Sequence, residues 1–272
     1  MHRYVHGYSE RETERLCDQS RIMEEMLHSD TAYPAGSRVL EAGCGVGAQT
    51  VILARRSPQA EITAVDVSLD SLKKASVLIN REGIANVSFQ QSDILNLPFG
   101  EESFDHVFVC FVLEHFVRPL EVLAELKRVL REGGTVTVIE GDHGSCFWYP
   151  ETAESRRVWQ CLIEAQAHLG HNSLIGRQLY PLLSQAGFNI RYVLPRWIYV
   201  DAGNPGPMSD GINKIMVPML ESAREQALKL GLIDEAAWRK GIGDLRRFAE
   251  PPGGTFFYTW FKGVGVKPEP AC

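Results

Sequence analysis

No apolar run in the 272 residues is long enough to cross a bilayer. The longest uninterrupted one, Val107 to Leu113, falls far short. The opening stretch MHRYVHGYSERE has no apolar core of the kind a secretion signal needs. The six cysteines have neither the paired spacing of a zinc site nor that of a redox dithiol, so a reduced, cytoplasmic protein with no membrane partner is expected. A basic stripe is missing too. Lysine and arginine number 28 against 34 acids, a formal charge of −6, and the pairs Arg156-Arg157 and Arg246-Arg247 sit among acids as solvated helix faces. Nucleic acid is therefore not expected as a partner. No repeat or low-complexity tract appears. His143 has no second ligand at a useful spacing, and His168 and His171 straddle a glycine, so no metal is expected. What remains is an ordinary globular composition, 44% apolar and 23% charged, long enough to bury a large core.

The informative stretch is Arg38 to Thr50, RVLEAGCGVGAQT. An apolar pair, Val39 and Leu40, runs into Glu41, and Gly43, Gly45 and Gly47 follow at alternate positions around Cys44. A helical pattern then takes over. This reads as buried strand, glycine loop and helix N-terminus, a combination that lets a ligand lie against the backbone and offers it free N–H groups. Gly43, Gly45 and Ala48 also satisfy the dinucleotide pattern G-x-G-x-x-A. Asp66, with Val67 after it, ends the next apolar run, EITAVD, where a residue binding a ribose hydroxyl is expected. Any adenosine cofactor has that need. Glu41 separates the options: a carboxylate just before the glycines would repel a pyrophosphate but suits a ligand carrying an amino group.

Here the chain resembles the class I S-adenosylmethionine-dependent methyltransferases, whose first motif, E/D-x-G-x-G-x-G, reads Glu41-Ala-Gly43-Cys-Gly45-Val-Gly47. Further elements extend the resemblance over about Gly36 to Glu140. Asp93-Ile94-Leu-Asn-Leu-Pro98-Phe99 matches D-x-x-x-L-P-F, and a turn Arg131-Glu-Gly133-Gly134 precedes a strand. The resemblance implies S-adenosylmethionine as cofactor, with Glu41 on its amino group, Gly43 to Gly47 against its backbone-facing side, Asp66 on the ribose and Asp93 with Ile94 on adenine. No N-P-P-aromatic motif follows the fourth strand, which in that superfamily marks planar amide or base nitrogens as targets. A small organic acceptor is the expectation, as in the quinone and natural-product enzymes.

The pattern predicts helix Val46–Arg56, strand Glu61–Asp66, helix Asp70–Arg81, strand Val87–Gln91, strand Phe104–Phe111, helix Pro119–Leu130 and strand Thr135–Glu140. Strands and helices at this spacing mean βαβ units and a mostly parallel sheet with helices on both faces. Glu41, Asp66, Asp93, Cys110 and Glu140-Gly141-Asp142 then all lie near strand C-termini, where open α/β sheets bind ligands. A helix Tyr8–Leu27, N-capped by Ser9 with Glu12 in a capping box, precedes the first strand. It brings Tyr8, and with it Tyr4 and Gln19, as candidate neighbours of a sulfonium. Beyond Gly141 the expected order is helix Glu151–Leu169, helix Leu174–Ala186, strand Phe188–Val200 with Pro195 at a bend or edge, helices Ile212–Leu230 and Asp234–Phe248, and an aromatic strand Gly254–Gly265. The resembled fold adds an antiparallel last strand, for seven in all. The expected organisation is an N-terminal cap (1–35), a Rossmann-like core (36–200 and 254–265), and helical lid insertions (145–172 and 202–253). An edge that makes a homodimer is the alternative role for the insertions. A base for the acceptor is sought among His115, His143 and Asp142, in that order. Two rival readings stand: an NAD-dependent oxidoreductase, and a cofactor-binding partner protein without catalysis.

Overall fold

The computed structural model describes residues 10–201, 203, 212–248 and 253–269. In chain order the elements are α1 (Glu10–His28), β1 (Arg38–Ala42), α2 (Ala48–Arg56), β2 (Glu61–Asp66), α3 (Leu69–Arg81), β3 (Val87–Gln91), β4 (Phe104–Cys110), α4 (Pro119–Val129), β5 (Leu130–Tyr149), α5 (Ala153–His168), α6 (Leu179–Gln185), β6 (Asn189–Val200), α7 (Val217–Ser222), α8 (Arg224–Lys229), α9 (Glu235–Phe248) and β7 (Thr255–Val266). The strands form one sheet in the order β3-β2-β1-β4-β5-β7-β6. Its first five members are parallel, with Leu40 opposite Thr63 on one side and Val107 on the other. The last strands are antiparallel, and the fold is Rossmann-like. No helix of the described residues is long and apolar enough to cross a membrane.

Two compact units share the chain. One comprises 24–141, 175–196 and 260–272. Its core is built from β-branched and leucine side chains facing α4 and α6: Leu40, Val107, Val109, Leu123, Leu126 and Leu183 have no exposed surface. Nearly continuous apolar strands of this kind are expected where both sheet faces are covered. Lys262 is buried with them and donates to Leu27 O (3.1 Å), Asp30 Oδ1 (2.5 Å) and Thr31 Oγ1 (2.5 Å), tying β7 to the end of α1. Asp30 also accepts from Tyr192 (3.1 Å) and Arg196. The other unit comprises 1–23, 142–174 and 197–259. There Thr152 and Ser155 cap α5 reciprocally. Gly241 lets α9 lie close to α5, since a Cβ there would fall 2.6 Å from Val158 Cγ2. Asp234 Oδ1 accepts from Ala237 N at 2.8 Å, capping the start of α9.

Several boundaries differ from the sequence reading. Helix α2 opens at Ala48 rather than Val46, because Gly47 is its N-cap in the left-handed region (φ 81°). The expected helix Leu174–Ala186 divides into a 3₁₀ turn, Ile175–Gln178, and α6. The expected helix Ile212–Leu230 divides into a π turn (Ile212–Met216), α7 and α8. Pro218, which has no N–H to donate, sits in the first turn of α7. The largest difference is β5, which does not stop at Glu140 but continues to Tyr149. Ser145–Tyr149, expected to begin a helical insertion, is strand. Lys267 exchanges backbone hydrogen bonds with Gly133 and Gly134 at one end of β5, and His143 meets Tyr258 further along. Pairing with β7 holds the added length. Ser9, the expected cap of α1, lies outside the described residues, and the carboxylate of Glu12 accepts from Arg15 Nε at 2.8 Å.

Candidate functional site

Strand β1 delivers Glu41 to the head of the glycine loop with 2% of its surface exposed. Its Oε2 makes no hydrogen bond. Burial pushes the carboxyl up to about 7, against the opposing effect of the Thr50 hydroxyl beside it and with Asp66 adding to the rise. The loop folds back onto β2, where Gly43 N and Cys44 N both donate to Val65 O (2.8 and 3.0 Å). Gly43 (φ 80°) is needed for space as well as conformation, because a Cβ there would sit 2.6 Å from Val112 Cγ2 and 3.5 Å from Ile94 Cδ1. Gly45 (φ 51°) is the opposite case, with nothing within 4 Å of its Cβ position. That is the open side of the loop. Helix α2 starts next to it with no side-chain cap and no acid in its first turn, so its first N–H groups favour a negative group in front of them.

Asp66 closes the loop from beneath. Its Oδ2 accepts from Gly45 N (2.9 Å) and its Oδ1 from Ser68 N (2.8 Å). Burial raises its carboxyl all the same. A carboxylate oxygen has two acceptor directions, so both oxygens keep capacity toward a ligand. Val67 beside it is exposed. Asp93 is exposed, and its Oδ1 accepts from Leu95 N at 2.9 Å in an Asx turn. Ile94 is buried against the glycine loop. Cys110 ends β4 in the same unit, and burial holds its thiol, like that of Cys44, in the neutral form. Loop, Asp66, Ile94 and Val112 thus form one cradle with an orphan carboxylate oxygen, an open glycine and a helix N-terminus. This donor set suits a zwitterionic amino acid joined to a nucleoside.

The family model described as "Methyltransferase domain" matches residues 40–138, from β1 to β5. This match supports a class I S-adenosylmethionine-dependent methyltransferase. An uncharacterized methyltransferase of Schizosaccharomyces pombe, C1B3.06c, is 29% identical over 231 residues, covering 82% of this chain and 81% of that one. A demethylmenaquinone methyltransferase of Staphylococcus aureus is 31% identical over 127 residues. That match takes in 45% of this chain and about half (51%) of the relative. Among solved structures, the Bacillus halodurans C-125 protein BH2331 superposes with a TM-score of 0.59 at 18% identity, covering 92% of this chain and 99% of that one. At that identity the likeness concerns the fold.

The turn after β4 is positioned by a residue that the sequence places in the cluster at the strand ends without a specific task. Glu140, at no exposure, accepts from Val112 N (2.9 Å) and Leu113 N (2.7 Å) through Oε1. Burial raises its carboxyl well above the usual range, and Glu114 adds to the effect. It thereby fixes the turn Leu113–His115, which follows Phe111, a non-glycine residue at φ 58°. His115 is half-buried with Nε2 3.7 Å from Glu114 Oε1. The signal for Glu140 was an acid inside an apolar strand end, which needs partners. His28 was missed and is fully buried against Gln49.

Asp142 and His143 do not end a strand, as the sequence reading had it; they lie inside β5, in the other unit. Asp142 is buried and its Oδ1 accepts from Gly144 N (3.1 Å). His143 shares a 2.6 Å hydrogen bond through Nδ1 with the Tyr258 hydroxyl, and its carbonyl accepts from Trp159 Nε1 (2.8 Å). Burial, with Arg15 adding to it, lowers the ring to about 4, so it is neutral at pH 7. Gln19 belongs to the same unit and accepts from Arg15. Tyr4 and Tyr8 lie outside the described residues. Among the described residues no three His, Cys, Asp or Glu side chains converge as a metal site would require.

Proposed function

We propose that this chain transfers the methyl group of S-adenosylmethionine to a small organic acceptor. The observation that carries the reading is Glu41: a buried carboxylate oxygen without a partner, at the head of a glycine loop, asks for a ligand with an amino group. A pyrophosphate at that place would meet repulsion. Bound there, S-adenosylmethionine supplies an electrophilic methyl group, so the protein's task is to align the acceptor and exclude water. Glu41 accepts from the amino group, Gly45 gives the backbone room to approach, and the free lone pairs of Asp66 take the ribose hydroxyls. Asp93 receives the adenine amino group through its second oxygen while Ile94 packs on the ring. The thiols of Cys44 and Cys110 are buried and neutral, so neither competes as a nucleophile. Where the acceptor has a proton to lose, His115, in the same unit as the glycine loop, is the base. A small, apolar acceptor is supported by the demethylmenaquinone methyltransferase among the relatives. A reduced cytoplasm is supported by Cys44, Cys110, Cys146 and Cys161, none of them in a disulfide.

Thermal unfolding with S-adenosylmethionine, S-adenosylhomocysteine or NAD tests this. A ligand at a hundred times its Kd stabilises by about 2.7 kcal/mol, a rise of several degrees. A rise with the two sulfur compounds alone supports the reading and opens a screen of acceptors. A rise with NAD alone replaces it with hydride chemistry. Binding without turnover on any acceptor class favours a non-catalytic partner protein.

A further inference from the structure

Gln49 is the second residue of α2, directly after the glycine loop. It is half-buried, and its Oε1 accepts from His28 Nε2 at 2.7 Å. His28, the last residue of α1, has no exposed surface, and its ring centroid lies 5.6 Å from that of Phe108. Its other nitrogen, Nδ1, has no partner. A buried ring keeps its proton where an acceptor waits, so Nε2 carries it and donates. Burial lowers this imidazole to about 4, which keeps it neutral. The carbonyl end of the Gln49 amide is thus committed to α1, and its NH₂ end faces away with no hydrogen bond among the described residues. Beside it are the uncapped N-terminus of α2 and the open side of Gly45. At the other end of the loop in sequence is Glu41, whose buried Oε2 makes no hydrogen bond. One acceptor and a group of donors, separated by a glycine loop, fit the two charged ends of an amino acid.

We propose that Gln49 donates to the α-carboxylate of the cofactor's amino-acid end, and that His28 is the positioning residue that turns the amide toward it. This rests on the S-adenosylmethionine reading, and the experiment separates the two. Full-length protein is titrated calorimetrically with S-adenosylmethionine and with decarboxylated S-adenosylmethionine, which keeps the amine and lacks only the carboxylate. Gln49→Leu should weaken the first by about 10- to 100-fold, as loss of a charge-assisted hydrogen bond does, and leave the second unchanged. Gln49→Glu, which keeps the shape and reverses the donor, should weaken the first more and the second not at all. His28→Leu should show the same selectivity at a smaller size, because a freed amide still reaches the carboxylate part of the time. Equal loss for both ligands, or none for either, in the Gln49 variants overturns the assignment. Selective loss in the Gln49 variants without it in His28→Leu overturns the role of His28. Wild-type protein that binds neither ligand overturns the cofactor reading, and this assignment with it.

Discussion

Glu41→Gln probes the buried carboxyl through its pH dependence. The folded protein holds the Glu41 carboxyl at about 7 against a usual 4.5, with burial as the main cause. The folded state therefore keeps a proton that the unfolded chain releases, and stability falls as pH rises from the unfolded value through the folded one. At pH 5 the cost to the wild type is about 1 kcal/mol, and at pH 8.5 about 3 kcal/mol, taking roughly 1.4 kcal/mol per pH unit. Glutamine has no charge to desolvate, so it removes this cost, while its buried NH₂ adds a constant loss of about 1–3 kcal/mol. The constant cancels when two pH values are compared. The variant should gain about 2–3 kcal/mol on the wild type between pH 5 and 8.5, a relative Tm change of roughly 5–10 °C. Differential scanning calorimetry of both proteins without ligand, at several pH values, measures it. A Tm difference that stays flat across that range would refute the desolvated-carboxylate argument. The same proton should leave when an amine-bearing ligand binds below pH 7, visible as a dependence of the binding heat on buffer ionisation enthalpy.

Gly43→Ala should cost about 2–4 kcal/mol in urea unfolding, from the left-handed backbone together with the clash on Val112. Gly45→Ala meets only the backbone penalty of about 1–2 kcal/mol, yet should abolish the thermal response to S-adenosylhomocysteine; equal stability losses would contradict the contrast. Lys262→Met strands Leu27 O and Thr31 Oγ1 and should lower stability by about 1–3 kcal/mol. Chemical denaturation measures it, and a loss below about 0.5 kcal/mol would mean that those groups find other partners. Glu140→Ala should cost about 1–3 kcal/mol by leaving Val112 and Leu113 N–H unpaired. Glu140→Gln keeps the accepting oxygen but places its NH₂ where Oε2 has no partner, so it should lose about 1–3 kcal/mol for that amide; a Gln variant as stable as wild type would show that the NH₂ finds an acceptor.

The first half of the sheet could be read directly because its determinants are local. Apolar runs such as EITAVD, the glycines at 43, 45 and 47, and the acid at position 41 each announce a backbone need or a chemical one within a few residues. What escaped depends on partners far along the chain. Residues 141–149 look like a polar, glycine-broken loop, and they are strand because β7, more than a hundred residues later, pairs with them and Tyr258 meets His143. Glu140 is legible as a buried acid, but its hold on Val112 and Leu113 requires the β4–β5 pairing to be known first. His28 sits in a highly charged helix whose pattern gives no sign that its last turn is dry. Conversely, Asp93 could be assigned either as a turn acceptor or as a ligand acceptor, and the structure uses it as the first while leaving an oxygen for the second.

The strand order has a consequence for the nascent chain. β6 lies at the edge of the sheet beside β7 alone, so on the ribosome it has no neighbour until residues up to Val266 have been made. At ordinary synthesis rates that wait is about 3–13 s, during which a twelve-residue strand carrying the exposed Leu194 and Trp197 is open to other chains. Pro195, in the middle of that strand, removes a donor from the waiting edge. Expression yield, more than the stability of the finished protein, should register its replacement.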